Sequence, residues 1–198
     1  LTSNRVEELK EIRLNSSSPQ LAEIPHLFAQ ITQPKDKGFI LIPKTSSENR
    51  EYIPMGFFSS EKKSSDSCFT VCTDEVYYLG ILTSKMHMVW MKEIGGKLES
   101  RYRYSKNVVY NTFPFPNISQ KQKDEITELV FAILDEREKH SQKTLAQLYD
   151  PDKMPEGLKK SHHNLDIAIE QSYRSKPFEN DEERLEYLFK MYEEMTSK

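Results

Sequence analysis

Pro114 and Pro116, in the run Asn111-Thr-Phe-Pro-Phe-Pro, divide this chain into two stretches that cannot share one kind of secondary structure. Before them, short apolar runs rich in β-branched and aromatic residues alternate with clusters of Gly, Pro and Ser; after Asn117, apolar residues recur every three to four positions. Proline fixes φ and removes a ladder donor, so a pair this close ends a sheet. The fold class expected is α+β: a small β-sheet domain with flanking helices, followed by an all-helical region.

Residues 3–14 carry Val6, Leu9 and Ile12 at helical spacing. The next stretch is broken into short turns by Pro19, Pro25 and Pro34. "GFILIP" and "EYIPMGFF" read as strands joined through "KTSSENR", and "SCFTVCT" as a third strand after a polar loop. "EVYYLGILTSKMHMVWMKEIGG" reads as one helix, with Tyr78, Leu82, Met86 and Val89 recurring and Gly95-Gly96 as its stop. "KLESRYRYS" alternates like a strand, which would put Glu99, Arg101 and Arg103 on one face, and "NVVYNTF" reads as one more strand. Later helices are expected from Ser119, Pro155 and Asn180 or Asp181, with Leu158, Leu165, Ile169 and Tyr173 facing inward in the middle one. The organisation expected is a helix and linker over 1–19, a sheet domain over 20–116 and a helical domain over 117–198.

Charge follows the same divide. Residues 1–117 hold 15 Lys+Arg against 13 Asp+Glu, while 118–198 hold 13 against 18, so a slightly basic part precedes an acidic one. Between Lys85 and Lys106 six basic residues face only Glu93 and Glu99. A local basic patch on an acidic whole can still attract phosphate, since screening confines fields to about 8 to 10 Å. No apolar stretch approaches the ~18 residues of a membrane span, so a soluble, cytoplasmic protein is expected. The chain opens on Leu1 and enters helical pattern almost at once, which suggests a piece of a longer polypeptide. Cys68 and Cys72 lack a second ligand pair and are expected as buried free thiols.

Catalytic signatures do not assemble. Phosphate-binding glycine loops and a Gly-x-Ser-x-Gly elbow are absent, as is the Asn/Asp-Pro-Pro-aromatic tetrad of amine methylation. Glu8-Leu-Lys10 and Glu61-Lys-Lys63 lack the preceding aspartate of a metal-dependent nuclease. Adjacent His162 and His163 diverge by about 100° on a helix and are expected at the surface or half buried, while His87 is expected to hold a backbone partner beside Trp90. What remains is recognition. A carboxylate accepts from cytosine N4 and a guanidinium forks onto guanine, so Glu99-x-Arg101 can read one C·G pair from both sides. The plain alternative is an intrastrand ion pair worth about 0.2 to 1 kcal/mol.

Four blocks, "IPKTSSENREYIPMGFF", "YYLGILTSKMHMVWMKEIGGKLESRYRYSKNVVYNTFPFP", "LAQLYDPDKMPEGLKKSHHNLD" and "DEERLEYLFKMYEEMT", resemble in order the C-terminal part of MmeI-like type IIL restriction-modification enzymes. These bacterial proteins join an endonuclease, an adenine-specific DNA methyltransferase and a target recognition domain in one polypeptide. The resemblance implies no catalytic residue and no metal ligand here. It implies double-stranded DNA and an upstream methyltransferase domain as partners, with S-adenosylmethionine and Mg2+ bound elsewhere in the parent and no cofactor in this portion. It marks Glu99 and Arg101, with Lys44, Ser46, Asp66 and Ser67, as candidate base readers, and Arg50, Lys85, Lys97, Arg103 and Lys106 as candidate phosphate contacts. The rivals are a non-catalytic protein-interaction scaffold built on Tyr and Arg hot spots, and a self-sufficient nuclease.

Overall fold

The computed structural model describes residues 2–27 and 36–197. The chain forms two compact units, Leu1–Gln33 and Pro34–Lys198. In the first, α1 (Thr2–Leu14) is followed by a tight helical turn at Pro19–Glu23. The Arg13 guanidinium stitches the two by donating to the carbonyls of Leu21, Ile24 and Leu27 at 3.1, 2.6 and 2.7 Å. Leu9 and Ile12 of the apolar stripe remain exposed. Pro34 lies outside the described residues.

The second unit carries two three-stranded antiparallel sheets. In the first, β1 (Phe39–Pro43) lies between β3 (Gly56–Phe58) and β4 (Cys68–Cys72), with Phe39 opposite both Phe58 and Cys72. In the second, the central strand is β6 (Arg101–Arg103), flanked by β2 (Thr45–Ser46) and β5 (Gly96–Leu98). Lys44 joins the sheets. Its N–H donates to Ser67 O at 3.0 Å, continuing the β4 ladder, while its carbonyl accepts from Tyr104 N–H at 2.9 Å, beginning the β6 ladder. In a flat strand both groups of one residue point the same way, so Phe39–Ser46 is one run bent at Lys44. As an edge strand β4 leaves Cys68 half buried and Cys72 exposed, contrary to the buried thiols expected.

The long helix expected within 75–96 is two: α2 (Tyr77–Thr83) and α3 (Lys85–Ile94). Ser84 between them is extended, at φ −76° and ψ 161°, and caps α3 by accepting from His87 N–H. The Thr83 and Ser84 hydroxyls turn back onto the carbonyls of Leu79 and Ile81 at 2.8 and 2.7 Å, the competition with backbone that interrupts helices at such residues. Nor is 107–113 a strand. Ser105 caps a wide turn, Lys106–Tyr110, in which Tyr110 and Asn111 N–H reach five residues back, and this turn buries Val109.

Four helices complete the unit: α4 (Gln120–Glu138), α5 (Leu145–Leu148), α6 (Glu156–Tyr173) and α7 (Asp181–Thr196). Ser119 with Gln122 and Thr144 with Gln147 form reciprocal capping boxes, and Asn180 accepts from Glu183 N–H at 2.8 Å. Leu158, Leu165 and Ile169 are fully buried, as their stripe requires. The core is continuous from the sheets into these helices: Trp90 packs against Phe113 before the helical region and against Phe189 and Tyr192 within it. Among the described residues no helix is long and apolar enough to cross a membrane.

A buried polar chain ties the two parts together. Arg137 donates to the Tyr149 hydroxyl and, at 2.8 Å, to Met55 O. Because Arg137 can only donate, Tyr149 turns its own proton to His162 Nε2 at 2.6 Å. Tyr52 stacks on the His162 ring and donates to Asp166 Oδ2 at 2.6 Å, and Asp166 Oδ1 accepts from Lys85 N–H at 2.6 Å. His162 is thus a core residue, where a surface or half-buried position was expected; its neighbour His163 is exposed. His87 is also fully buried, and its partner is the Tyr104 hydroxyl at 2.9 Å in place of the backbone group expected.

These groups set the acid stability. Burial lowers His87 to about 3; burial and the Arg137 charge lower His162 to about 3; burial raises Asp166 to about 6 against the bonds from Tyr52 and Lys85 N–H. For the histidines the unfolded chain takes up protons first, so their contribution is complete above pH 6.5 and lost as pH falls toward 3. Asp166 acts oppositely, binding its proton first in the folded state between about pH 6 and 3.8. At pH 5 the histidines outweigh it, and stability should be lower than at pH 7.5 by on the order of 2 to 3 kcal/mol. Urea unfolding followed through Trp90 fluorescence measures this; an equal midpoint at the two pH values rules it out.

Candidate nucleic-acid interface

The second sheet is where the candidate residues gather. β5 and β6 pair Gly96 with Arg103, Lys97 with Tyr102 and Leu98 with Arg101, leaving Glu99-Ser100 as a two-residue turn. β2 adds Thr45 opposite Arg103 and Ser46 opposite Tyr102. Directly opposed residues share a face. One face therefore carries Thr45, Leu98, Arg101 and Arg103, all exposed. The other carries Ser46, Lys97 and Tyr102, with Ser46 buried and Tyr102 half buried.

Glu99 does not alternate with Arg101 along a strand, as the sequence reading expected. It sits in the turn at φ 60°, the only non-glycine residue with positive φ among those described. Positive φ at the first residue of a two-residue hairpin turn is usually given to glycine. From there its Oε2 accepts from Arg101 Nη2 at 2.8 Å, with both side chains largely in solvent. Such an exposed pair holds little energy and separates readily when a better partner arrives. Beside this turn Glu48, just beyond β2, has its carboxyl held below the usual range by the Ser100 side chain, its own backbone N–H and the Arg101 charge.

The Lys44 ammonium lies 5.2 Å from the Phe69 ring centre at the bend that carries the sheet. Asp66 and Ser67, both exposed, close the loop whose Ser67 carbonyl takes the Lys44 N–H, so these three are neighbours along one ladder. Lys97 and Arg103 are exposed on opposite faces of the hairpin. Lys106 is exposed at the start of the wide turn and, with Tyr104, Tyr110 and Asn111, lines a groove of about 260 Å³ beside the first sheet.

Three candidates are not part of this assembly. Ser46 is 4% exposed and its hydroxyl accepts from Arg50. Arg50 also donates to Ala146 O at 3.3 Å, so its guanidinium links the loop to α5 and does not stand free for phosphate. Lys85 lies about 15 Å from the hairpin by the helical rise of α3, with its ammonium 4.0 Å from Asp181. In exchange, Thr45 and Leu98 join the group; the sequence signal for them was the register of the hairpin, which the reading of 97–105 as one strand concealed.

Family models for the MmeI target recognition domain and the MmeI C-terminal domain match residues 1–117 and 118–198. A DNA methyltransferase A of Bacillus subtilis (strain 168) is 49% identical over 159 residues, which is 80% of this chain and 18% of that protein. A solved structure of the type IIL restriction-modification enzyme MmeI in complex with DNA is similar over 100% of the chain, at 42% identity and TM-score 0.90. The chain spans 27% of that enzyme.

Proposed function

The chain belongs to the MmeI family, as its target recognition domain joined to its C-terminal domain, and from that premise we propose that it reads the base sequence of duplex DNA for a site-specific adenine methyltransferase of a restriction-modification system. The observation that carries this is the exposed hairpin face with Arg101 and Arg103 side by side beneath the Glu99 turn. A two-stranded ribbon fits the major groove, where guanidinium forks onto guanine O6 and N7 and carboxylate accepts from cytosine N4. Arg101 and Glu99 read base edges, Lys44, Asp66 and Ser67 reach the same groove from the bend, and Arg103, Lys97 and Lys106 set register on phosphates. The excess negative charge of residues 118–198 keeps the duplex on the hairpin side.

The division that fits this reading is a helix and linker over 1–19, the reader over 20–116 and a helical platform over 117–198; the two family matches, which meet between 117 and 118, support the second of these boundaries. S-adenosylmethionine and Mg2+ serve other parts of the longer polypeptide, which works in the cytoplasm. No group of three His, Cys, Asp or Glu among the described residues is placed to hold a metal.

Three phosphate contacts give a slope of log K against log salt of about −2.7, so duplex affinity should fall about fortyfold between 50 and 200 mM salt. Replacing Lys97, Arg103 or Lys106 by Ala should each flatten the slope by about one. Fluorescence anisotropy with a duplex pool checks both. Absence of binding at low salt, or binding indifferent to salt, defeats the reading and favours a protein-interaction surface.

A further inference from the structure

We infer that Leu98 is a specificity-determining residue that reads the C5-methyl group of a thymine in the base pair adjoining the one held by Glu99 and Arg101. The inference rests on the reading of those two residues given above and deepens it. In the β5–β6 register Leu98 lies directly opposite Arg101, so the two side chains leave the same face of the hairpin. Leu98 is 42% exposed and takes no part in the core. Among the described residues of that face it is the one large apolar side chain, in the company of Thr45, Arg101 and Arg103.

Single apolar residues are common on protein surfaces. On an outer strand they are a hazard, because the strand has a free edge and an apolar side chain there favours unwanted pairing; charge is the usual safeguard. β5 is an outer strand of its sheet. Lys97, on the opposite face, follows that rule and Leu98 does not. Its position selects the ligand. Opposed Cβ atoms stand about 4.5 to 5.5 Å apart, and stacked base pairs rise about 3.4 Å. When the Arg101 guanidinium forks onto a guanine, the leucine therefore falls over the next step of the same groove. Glu99, shorter than arginine, sits at the turn, so a hairpin that uses both enters turn first and carries Leu98 in with it. The apolar group that base edges present in the major groove is the thymine methyl; the donors and acceptors of a G·C pair would be left unpaired against leucine.

The 198-residue chain is first used to select its target from a randomised duplex library, which should return an A·T or T·A pair next to the C·G pair. Affinity is then compared on that target with thymine or deoxyuridine at the adjoining pair, for the unaltered chain, Leu98→Ala and Leu98→Met. Loss of one buried methyl corresponds to about a fourfold change, so the unaltered chain should bind the deoxyuridine duplex about fourfold more weakly. Leu98→Ala should bind the thymine duplex more weakly by a similar factor and should no longer distinguish the two duplexes, with its urea midpoint unchanged. Leu98→Met keeps an apolar reach and should keep the sensitivity. A leucine that merely supports the hairpin would leave the methyl sensitivity as it was. Equal sensitivity in the unaltered and Leu98→Ala chains, including none in either, or G·C pairs on both sides of the C·G pair, overturns the assignment. If the Glu99→Lys, Arg101→Asp chain selects the original sequence, or the unaltered chain enriches none, the underlying reading fails, an outcome separate from failure of Leu98 alone.

Discussion

The double exchange Glu99→Lys with Arg101→Asp should reverse one base pair of the recognised sequence and leave the rest intact. In the native hairpin the turn residue accepts and the strand residue donates, which suits cytosine at one side and guanine at the other. The exchange makes the turn residue the donor and the strand residue the acceptor, conserving both net charge and the ion pair between them. The complementary orientation, G·C for C·G, then satisfies the same two groups. Each well-formed contact of this kind discriminates by about 1 to 3 kcal/mol, so the preference at that position should swing by two orders of magnitude or more. Mapping methylated adenines made by the full-length enzyme, or library selection with the chain, gives the answer. A recognition sequence unaltered at every position refutes the assignment. Single changes should instead lose affinity for the original site, since each leaves one buried base edge without a partner.

A second large effect is expected far from the hairpin, at Gly80. A Cβ there would lie 2.7 Å from Ile126 Cγ2, 2.8 Å from Val130 Cγ2 and 3.3 Å from Leu165 Cδ1. Alanine in place of glycine gains about 1 kcal/mol of helix propensity. Ile126 and Val130 are β-branched and stiff within α4, so they cannot turn aside, and overpacking of this kind costs about 1 to 3 kcal/mol. The steric term wins: Gly80→Ala should destabilise by about 1 kcal/mol and Gly80→Val by 3 or more. At Gly96 the nearest atoms are Arg103 Cβ and O at 3.9 Å, so Gly96→Ala should change stability little. Urea midpoints for the three variants decide it, and a stabilised Gly80→Ala would show that α2 and α4 do not approach this closely.

Much of the fold was written locally. The caps at Ser119 and Asn180, the strands around Ile40 and Phe69 and the buried stripe Leu158-Leu165-Ile169 are set by neighbours a few positions away. Long-range partners decided what the sequence alone could not. The helix breaks at Ser84 with Asp166, 81 positions on from Lys85, taking the freed N–H. Arg50 is drawn toward α5 by a carbonyl 96 positions away. His162 is held inside by Tyr149, Tyr52 and Arg137, a set no spacing rule reveals. At the interface, alternation found the outward direction of Arg101 and Arg103 but not the turn, because a glutamate at positive φ carries no glycine to announce it.

Leu98, Glu99, Arg101 and Arg103 all project from a ribbon whose outward face supports no core. Substitutions at exposed positions of this sort usually alter stability by less than about 0.5 kcal/mol. A lineage can therefore trade one target for another with the folded scaffold nearly untouched, and descendants sharing this architecture can diverge quickly in what they read.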